Sequence, residues 1–217
     1  VDTIGPTVIT FTITDTSLKI GETATVFLVF SEAVSGFNSD HDITAPNGTL
    51  STMTSSNNIT WTGTFTPNSN IEATTNVLTL STNYTDAAGN AGPSSTTANY
   101  EVDTKGPTII SFTMSDTSLK IGDTATVTLQ FSEAVSGFNS NNDITAPNGT
   151  LTLMTSSDNI TWSGTFTPTS NIEDTANVLT LSTAYTDAAG NSGPSSTTAN
   201  YSIDTKAPTV ISFTMSD

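Results

Sequence analysis

The chain of 217 residues contains no cysteine and no arginine, and a single histidine. Without cysteine there are no disulfide staples, no thiolate nucleophile and no zinc–thiolate site. Four lysines stand against 20 Asp and Glu, giving a formal net charge of −16 and a pI near 4.1. So acidic a surface repels phosphate backbones, which excludes nucleic acid as a partner. No apolar run reaches the roughly 20 residues of a membrane-crossing helix, so this segment is not expected to insert into a bilayer. No stretch shows helical apolar spacing. There is no initiator Met and no signal peptide, so the chain reads as an excerpt of a longer protein. What is abundant is threonine and serine, together about a third of the residues. Threonine is at home in strands and mediocre in helices, and the composition leans to all-β.

The chain repeats itself. Val1-Asp2-Thr3 returns as Val102-Asp103-Thr104 and as Ile203-Asp204-Thr205, and every landmark is offset by 101 residues without a gap. Pro6 matches Pro107 and Pro208, and Trp61 matches Trp162. The two full copies differ at 20 of 101 positions. A period this long is one small domain, not a solenoid unit. The division read from the sequence is 1–101, 102–202, and 203–217 as the start of a third copy.

Within one copy, period-2 patterning and turn signals predict seven strands, at 7–14, 22–30, 42–45, 49–54, 58–66, 76–82 and 96–102. Seven short strands in about 100 residues point to an antiparallel immunoglobulin-like β-sandwich, two of them in tandem. Differences between copies tell which side chains face water. Phe27 becomes Thr128 and Val29 becomes Gln130, whereas Ala24, Val26, Leu28 and Phe30 keep their identity. A one-residue slip would invert the pattern, so the latter four face the core. The same reasoning turns Ile9, Phe11 and Ile13 inward, with Ile59, Trp61, Gly63 and Phe65, then Leu78, Leu80, Ala98 and Tyr100. Trp61 is expected at the centre of the core.

No enzymatic set is present. His41 lies between Asp40 and Asp42, but the second copy has Asn141 and Asn142 at 40 and 41, so no chemistry common to both domains uses it. There is no phosphate loop, no nucleophile elbow and no second histidine for a triad. Paired carboxylates could cleave glycosides only within a groove, which acidic residues spread over two domains would not form. A binding role is open to the threonines expected to alternate outward, at 10, 12 and 14 and at 60, 62, 64 and 66, which could contact ice or a glycan. Three of these positions are serine in the second copy.

Strand alternation sorts the loops to two poles. The segment Asp2–Pro6, the loop 31–40 and the loop 84–95 share the leading pole, which puts Asp2, Glu32, Asp86 and Asn90 together. Their counterparts are Asp103, Glu133, Asp187 and Asn191, with Asp204 opening the third copy. Asp15, Asn70 and Glu72 fall at the trailing pole of the first copy, expected to face the leading pole of the next. Carboxylates gathered this closely repel unless a cation neutralises them. An all-oxygen set suits Ca2+, which takes six to eight such ligands. The alternative is that acidic loops merely keep a threonine-rich protein soluble. No contiguous calcium loop is present.

The runs Val1–Thr7, Ser17–Val26, Phe30–Phe37 and Tyr84–Asn90, with their copies 101 residues on, resemble the tandem bacterial Ig-like repeats of giant type I-secreted (RTX-type) adhesins of Gram-negative bacteria. Among these, the repeats of a marine ice-binding adhesin are similar. The resemblance implies an extracellular, cell-surface stalk in which identical neighbouring repeats, stiffened by Ca2+ at their linkers, hold a binding domain away from the cell. It implies linker ligands at Asp103 and Asp204, and further ligands at Glu133, Asp187 and Asn191. The excised segment is expected to be monomeric and to have no catalytic residue.

Overall fold

The computed structural model describes residues 1–216. It divides into two compact units, Val1–Lys105 and Gly106–Asp217. The structural units are displaced by a few residues from the division read in the sequence, because the last strand of the first unit runs on to Asp103 and buries Val102 completely.

In the first unit the strands are β1 (Val8–Ile13), β2 (Ser17–Lys19), β3 (Ala24–Phe30), β4 (Ile43–Thr44), β5 (Gly48–Leu50), β6 (Thr60–Pro67), β7 (Glu72–Asn76), β8 (Thr79–Leu80), β9 (Ser95–Thr96) and β10 (Tyr100–Asp103). They form a four-stranded sheet, β1-β3-β6-β5, and two three-stranded sheets, β2-β10-β7 and β4-β8-β9. Residues 109–204 repeat this order from β11 (Ile109–Met114) to β20 (Tyr201–Asp204), with β13 (Ala125–Phe131) as the counterpart of β3. The all-β, tandem Ig-like sandwich expected from the sequence is what forms. The strands are more numerous and shorter than the seven predicted, and β2 runs parallel to β10. Residues 72–75 lie outside the predicted strands, yet with Asn76 they pair with β10 as β7. In each unit one helical turn interrupts the β pattern, α1 (Ser39–Asp42) in the first and α2 (Ser140–Asp143) in the second. Asn38 Oδ1 accepts the Asp40 N–H, and Asp42 Oδ2 accepts the Asn38 N–H in return, a reciprocal cap that needs no apolar periodicity to form.

The core lies between the sheets. Ala24, Val26, Leu28 and Phe30 are all buried while Phe27 is exposed, as the inter-copy differences predict. Ile9 breaks the expectation. It is 65% exposed, because the β1–β3 register shifts between Val8 and Thr10, and the extra residue turns Val8 inward instead. Ile110 repeats the exposure at the same irregularity in the second unit. Ala98 is also exposed, since residues 97–99 are not in a strand. Thr97 is buried in its place, and its Oγ1 accepts the Leu78 N–H. Trp61 is not central. It packs half-buried on the flank of the core, edge-to-face on Phe37 at 4.8 Å.

All four tyrosines are buried, and each hydroxyl donates to a proline carbonyl: Tyr84 to Pro93, Tyr100 to Pro46, Tyr185 to Pro194 and Tyr201 to Pro147. Burial pushes each phenol up to about 12; for Tyr201 the Asp174 charge adds to it. A raised pKa favours the neutral phenol in the folded state. The stability it contributes is whole below pH 10 and is lost as pH rises towards 12. Ultraviolet titration is therefore expected to show no phenolate near pH 10, and a cooperative appearance near pH 12 coincident with loss of the fold. A graded titration centred at pH 10 would contradict the buried placement of the tyrosines.

Candidate metal centre

The leading pole of the first unit is assembled from three segments. Ser31, just after β3, ties down the leading segment: its N–H donates to Thr7 O and its Oγ accepts the Thr7 N–H, both at 2.9 Å. This sets Glu32 beside the incoming chain. Ser35 and Thr85 exchange backbone hydrogen bonds of 2.7 and 3.0 Å, drawing the loop at 84–92 to the same place. Within that loop Gly89 is left-handed, at φ 90°, which an L side chain would resist. The turn it makes lets the Asn90 N–H and Nδ2 donate to the two carboxylate oxygens of Asp86, at 2.8 and 2.7 Å. Gly5 crosses so close to Ala91 O that a Cβ there would collide with the carbonyl. Asn90 Nδ2 also reaches the backbone carbonyls of Asp2 and Ile4, at 3.4 and 3.5 Å.

The result is that carboxylate oxygens of Asp2, Glu32 and Asp86 lie within 4.8 Å of one another. Asp2 is exposed, Glu32 half-buried and Asp86 buried. The Asn90 side-chain hydrogen bond, with backbone N–H groups of the loop, holds the Asp86 carboxyl below its ordinary range, against the opposing effect of burial. The two lysines of the unit with ion pairs are engaged elsewhere, Lys19 with Glu22 and Lys105 with Glu72. The donor set is all oxygen and converges on one point, and its charge is of one sign. These properties fit a hard divalent cation and do not fit a thiolate- or imidazole-seeking metal.

The other predicted ligands have local roles. Asp15 Oδ1 accepts the Ser17 N–H in a tight turn, and Asp116 repeats this with Ser118. Glu72 lies opposite Asp103 in the β7–β10 register and pairs with Lys105 at 3.1 Å, while Asp103 Oδ1 accepts the Lys105 N–H. In the second unit Asp204 ends β20 opposite Glu173 and accepts the Lys206 N–H in the same way. Neither Asp15 nor Glu72 joins the Asp2–Glu32–Asp86 group. Asn70 takes a left-handed backbone at φ 59°. At the leading pole of the second unit Asp187 and Asn191 are buried, and Asn191 N–H and Nδ2 donate to the Asp187 carboxylate at 2.8 Å each. Glu133 is half-buried just past β13. Gly106 again approaches the loop, its would-be Cβ 2.8 Å from Ser192 O. Sequence reasoning missed the Thr7–Ser31 tie and the Gly5 crossing. The signal available was glycine at both 5 and 106 immediately before proline.

A family model for a bacterial Ig-like domain matches residues 2–102 and again 103–203. No curated protein matches the chain. Solved structures with a similar fold include the Escherichia coli adhesin FdeC, at 16% identity over 88% of this chain and 63% of that one, with a TM-score of 0.32. A titin tandem shares 10% identity over 91% of this chain and 65% of its own, with a TM-score of 0.30. The D0-D1 domain of intimin shares 17% over 90% and 99%, with a TM-score of 0.30. The chain thus spans less than two thirds of the FdeC and titin chains.

Proposed function

The chain belongs to the bacterial Ig-like domain family, and on that premise we propose that it is an extender segment of a large adhesin at a bacterial surface. Its repeats act as spacers that hold a distal binding domain away from the cell. The observation that carries this reading is repetition itself: two units, each with its own complete core, recur at 101 residues with no insertion. A binding module gains affinity from varied loops, whereas a spacer needs only a regular unit. The exposed threonine faces support direct surface binding less well. Thr62 is half-covered by its bridge to Thr54, and Phe27 and Val29 lie on the same sheet face where the second unit has Thr128 and Gln130.

In this proposal Ca2+ is the resident cation of the Asp2–Glu32–Asp86 group, with Asn90 fixing the Asp86 carboxylate in place. It is the stiffening element of the stalk, and export by the type I route places the protein outside the cell, where calcium is abundant. The same residue types recur in the sequence at Asp103, Glu133, Asp187 and Asn191, 101 positions later. Small-angle scattering on the whole chain tests the extender role. The expected result is an elongated particle with a narrow distance distribution in calcium and a broader one in chelator. A compact particle in calcium would overturn the extender role.

A further inference from the structure

Five of the 20 positions at which the copies differ lie together on one side of the first unit. Across its four-stranded sheet Thr10 pairs with Val29 and Val29 with Thr60; one rung along, Thr12 pairs with Phe27 and Phe27 with Thr62. Paired residues point to the same side of a sheet, and Phe27 is 37% exposed, so this side is turned to water. Thr62 also bridges Thr54, and the two line a groove of about 450 Å3 with Ser55, Ser56, Asn57 and Thr60. The lining is hydroxyl and amide throughout, and the Phe27 ring stands next to it across the pair with Thr62. None of these residues is charged, in a chain whose net charge is −16.

The second unit keeps the backbone and changes the chemistry. Ser111, Thr128, Gln130, Asp158 and Ser163 stand where the first has Thr10, Phe27, Val29, Asn57 and Thr62. The fold accepts either set, since the strand pairings recur residue for residue. Asn57 Oδ1 accepts the Ile59 and Thr60 N–H groups at 3.0 and 2.9 Å, and Asp158 Oδ1 holds the equivalent turn at 2.9 Å to each N–H. What differs is the other end atom of the side chain, an amide donor in the first unit and a carboxylate oxygen in the second. A ring and a donor are thus present in one repeat and replaced in the other, with no demand from the fold for the change.

We propose that this side of the first repeat binds a neutral polysaccharide, an activity added to the spacer role and not resting on it. The threonine ladders common to both repeats are not the site; the Phe27 platform beside the Asn57 groove is. A pyranose ring has an apolar C–H face and a rim of hydroxyls that both donate and accept. Phe27 offers a flat apolar surface to the C–H face, with the negative side of its ring towards those hydrogens. The threonine and serine hydroxyls, which also donate and accept, and the Asn57 amide match the rim. An anionic polysaccharide is repelled by the chain as a whole, and a cationic one finds no carboxylate among these residues. In the second repeat the ring is gone, and Asp158 would have to be desolvated beneath the sugar.

The experiment titrates the whole chain, by calorimetry and amide NMR, with hexasaccharides of glucan, mannan and galactan, and with a hyaluronan hexasaccharide as the anionic counterpart. A neutral hexasaccharide is expected to bind, with amide shifts confined to residues 10–12, 27–29 and 54–62, and hyaluronan is not. Phe27→Thr installs the residue with which the second repeat already folds. It is expected to weaken binding by about tenfold or more at an unchanged melting temperature. Thr128→Phe with Gln130→Val and Asp158→Asn is expected to create a similar site in the second repeat. Failure of every neutral sugar to bind, or binding that Phe27→Thr leaves unchanged, would overturn the proposal, as would a preference for hyaluronan. Retention on a phenyl resin that depends on Phe27 while no sugar binds would mark the face as an apolar contact for a protein, and would overturn it equally.

Discussion

Removing calcium with a chelator is expected to lower the melting temperature of the first repeat by about 15–30 °C. The magnitude follows from linkage. A site of micromolar affinity in millimolar calcium stabilises the folded state by about 4 kcal/mol, and each kcal/mol moves the midpoint of a domain this size by about 4–8 °C. The structural reason is that Asp2, Glu32 and Asp86 are brought within 4.8 Å only by folding. Like charges gathered this closely repel one another, least where Asp2 meets solvent. A cation reverses the sign of that contribution. Asp86→Asn is expected to lower the melting temperature more in calcium than in chelator: in calcium a ligand is lost, whereas in chelator only the hydrogen bonds that Asn90 and the loop N–H groups donate to the carboxylate are weakened. Superimposable parent melting curves in calcium and chelator would remove the cation from the stalk.

The convergence of those three carboxylates was legible because it depends on strand direction alone. With strands alternating, the loops after β3 and before β9 must meet the leading segment, whatever the details of pairing. The inward set of β3 was legible for a different reason: two nearly identical copies report, through Phe27 and Thr128, which positions the fold leaves free. What the sequence hid were departures from strict alternation. The register shift at Ile9 moves one residue from core to solvent while leaving Phe11 and Ile13 in place, and nothing in Val-Ile-Thr-Phe announces it. Ala98 was misplaced because residues 97–99 look extended by composition but interrupt the sheet, with a threonine hydroxyl standing in for the missing ladder bond. Most of β7 falls outside the predicted strands because Glu72-Ala73-Thr74-Thr75 has one apolar residue. It pairs with β10 through the backbone ladder, and the Asn76 side chain reinforces it, its Nδ2 donating to Tyr100 O of β10 and to Ala73 O of its own strand. Asp15 and Glu72 illustrate the limit for sites. A carboxylate at the right pole is equally suited to a turn or an ion pair, and only geometry separates those roles.

The largest single-residue effect is expected at Phe65 and not at Trp61, although the sequence favours the tryptophan. Phe65 is fully buried, stacks edge-on against Tyr100 at 5.1 Å, and fills the space above Gly48. Phe65→Ala should therefore cost about 3–5 kcal/mol, the range for emptying a core site that cannot collapse. Trp61 lies half-buried on the flank, and its indole N–H is buried without a hydrogen-bond partner. Part of what its packing contributes is offset by that unsatisfied donor, and Trp61→Ala should cost less than Phe65→Ala. Gly48 gives an independent check on the same contact. A Cβ at Gly48 would run into the Phe65 ring and would also lie 2.7 Å from Thr66 O. Gly48→Ala alone should then cost about 1–3 kcal/mol through overpacking. Combined with Phe65→Ala, the added methyl enters the space the ring has left, so the double variant should be more stable than the sum of the two single changes implies. Denaturant unfolding of the whole chain measures this directly, with the unaltered second repeat as internal reference. Strict additivity would mean that the Thr66 carbonyl, and not the ring, is what requires glycine at 48. Equal losses from Trp61→Ala and Phe65→Ala would instead put the tryptophan back at the centre of the core.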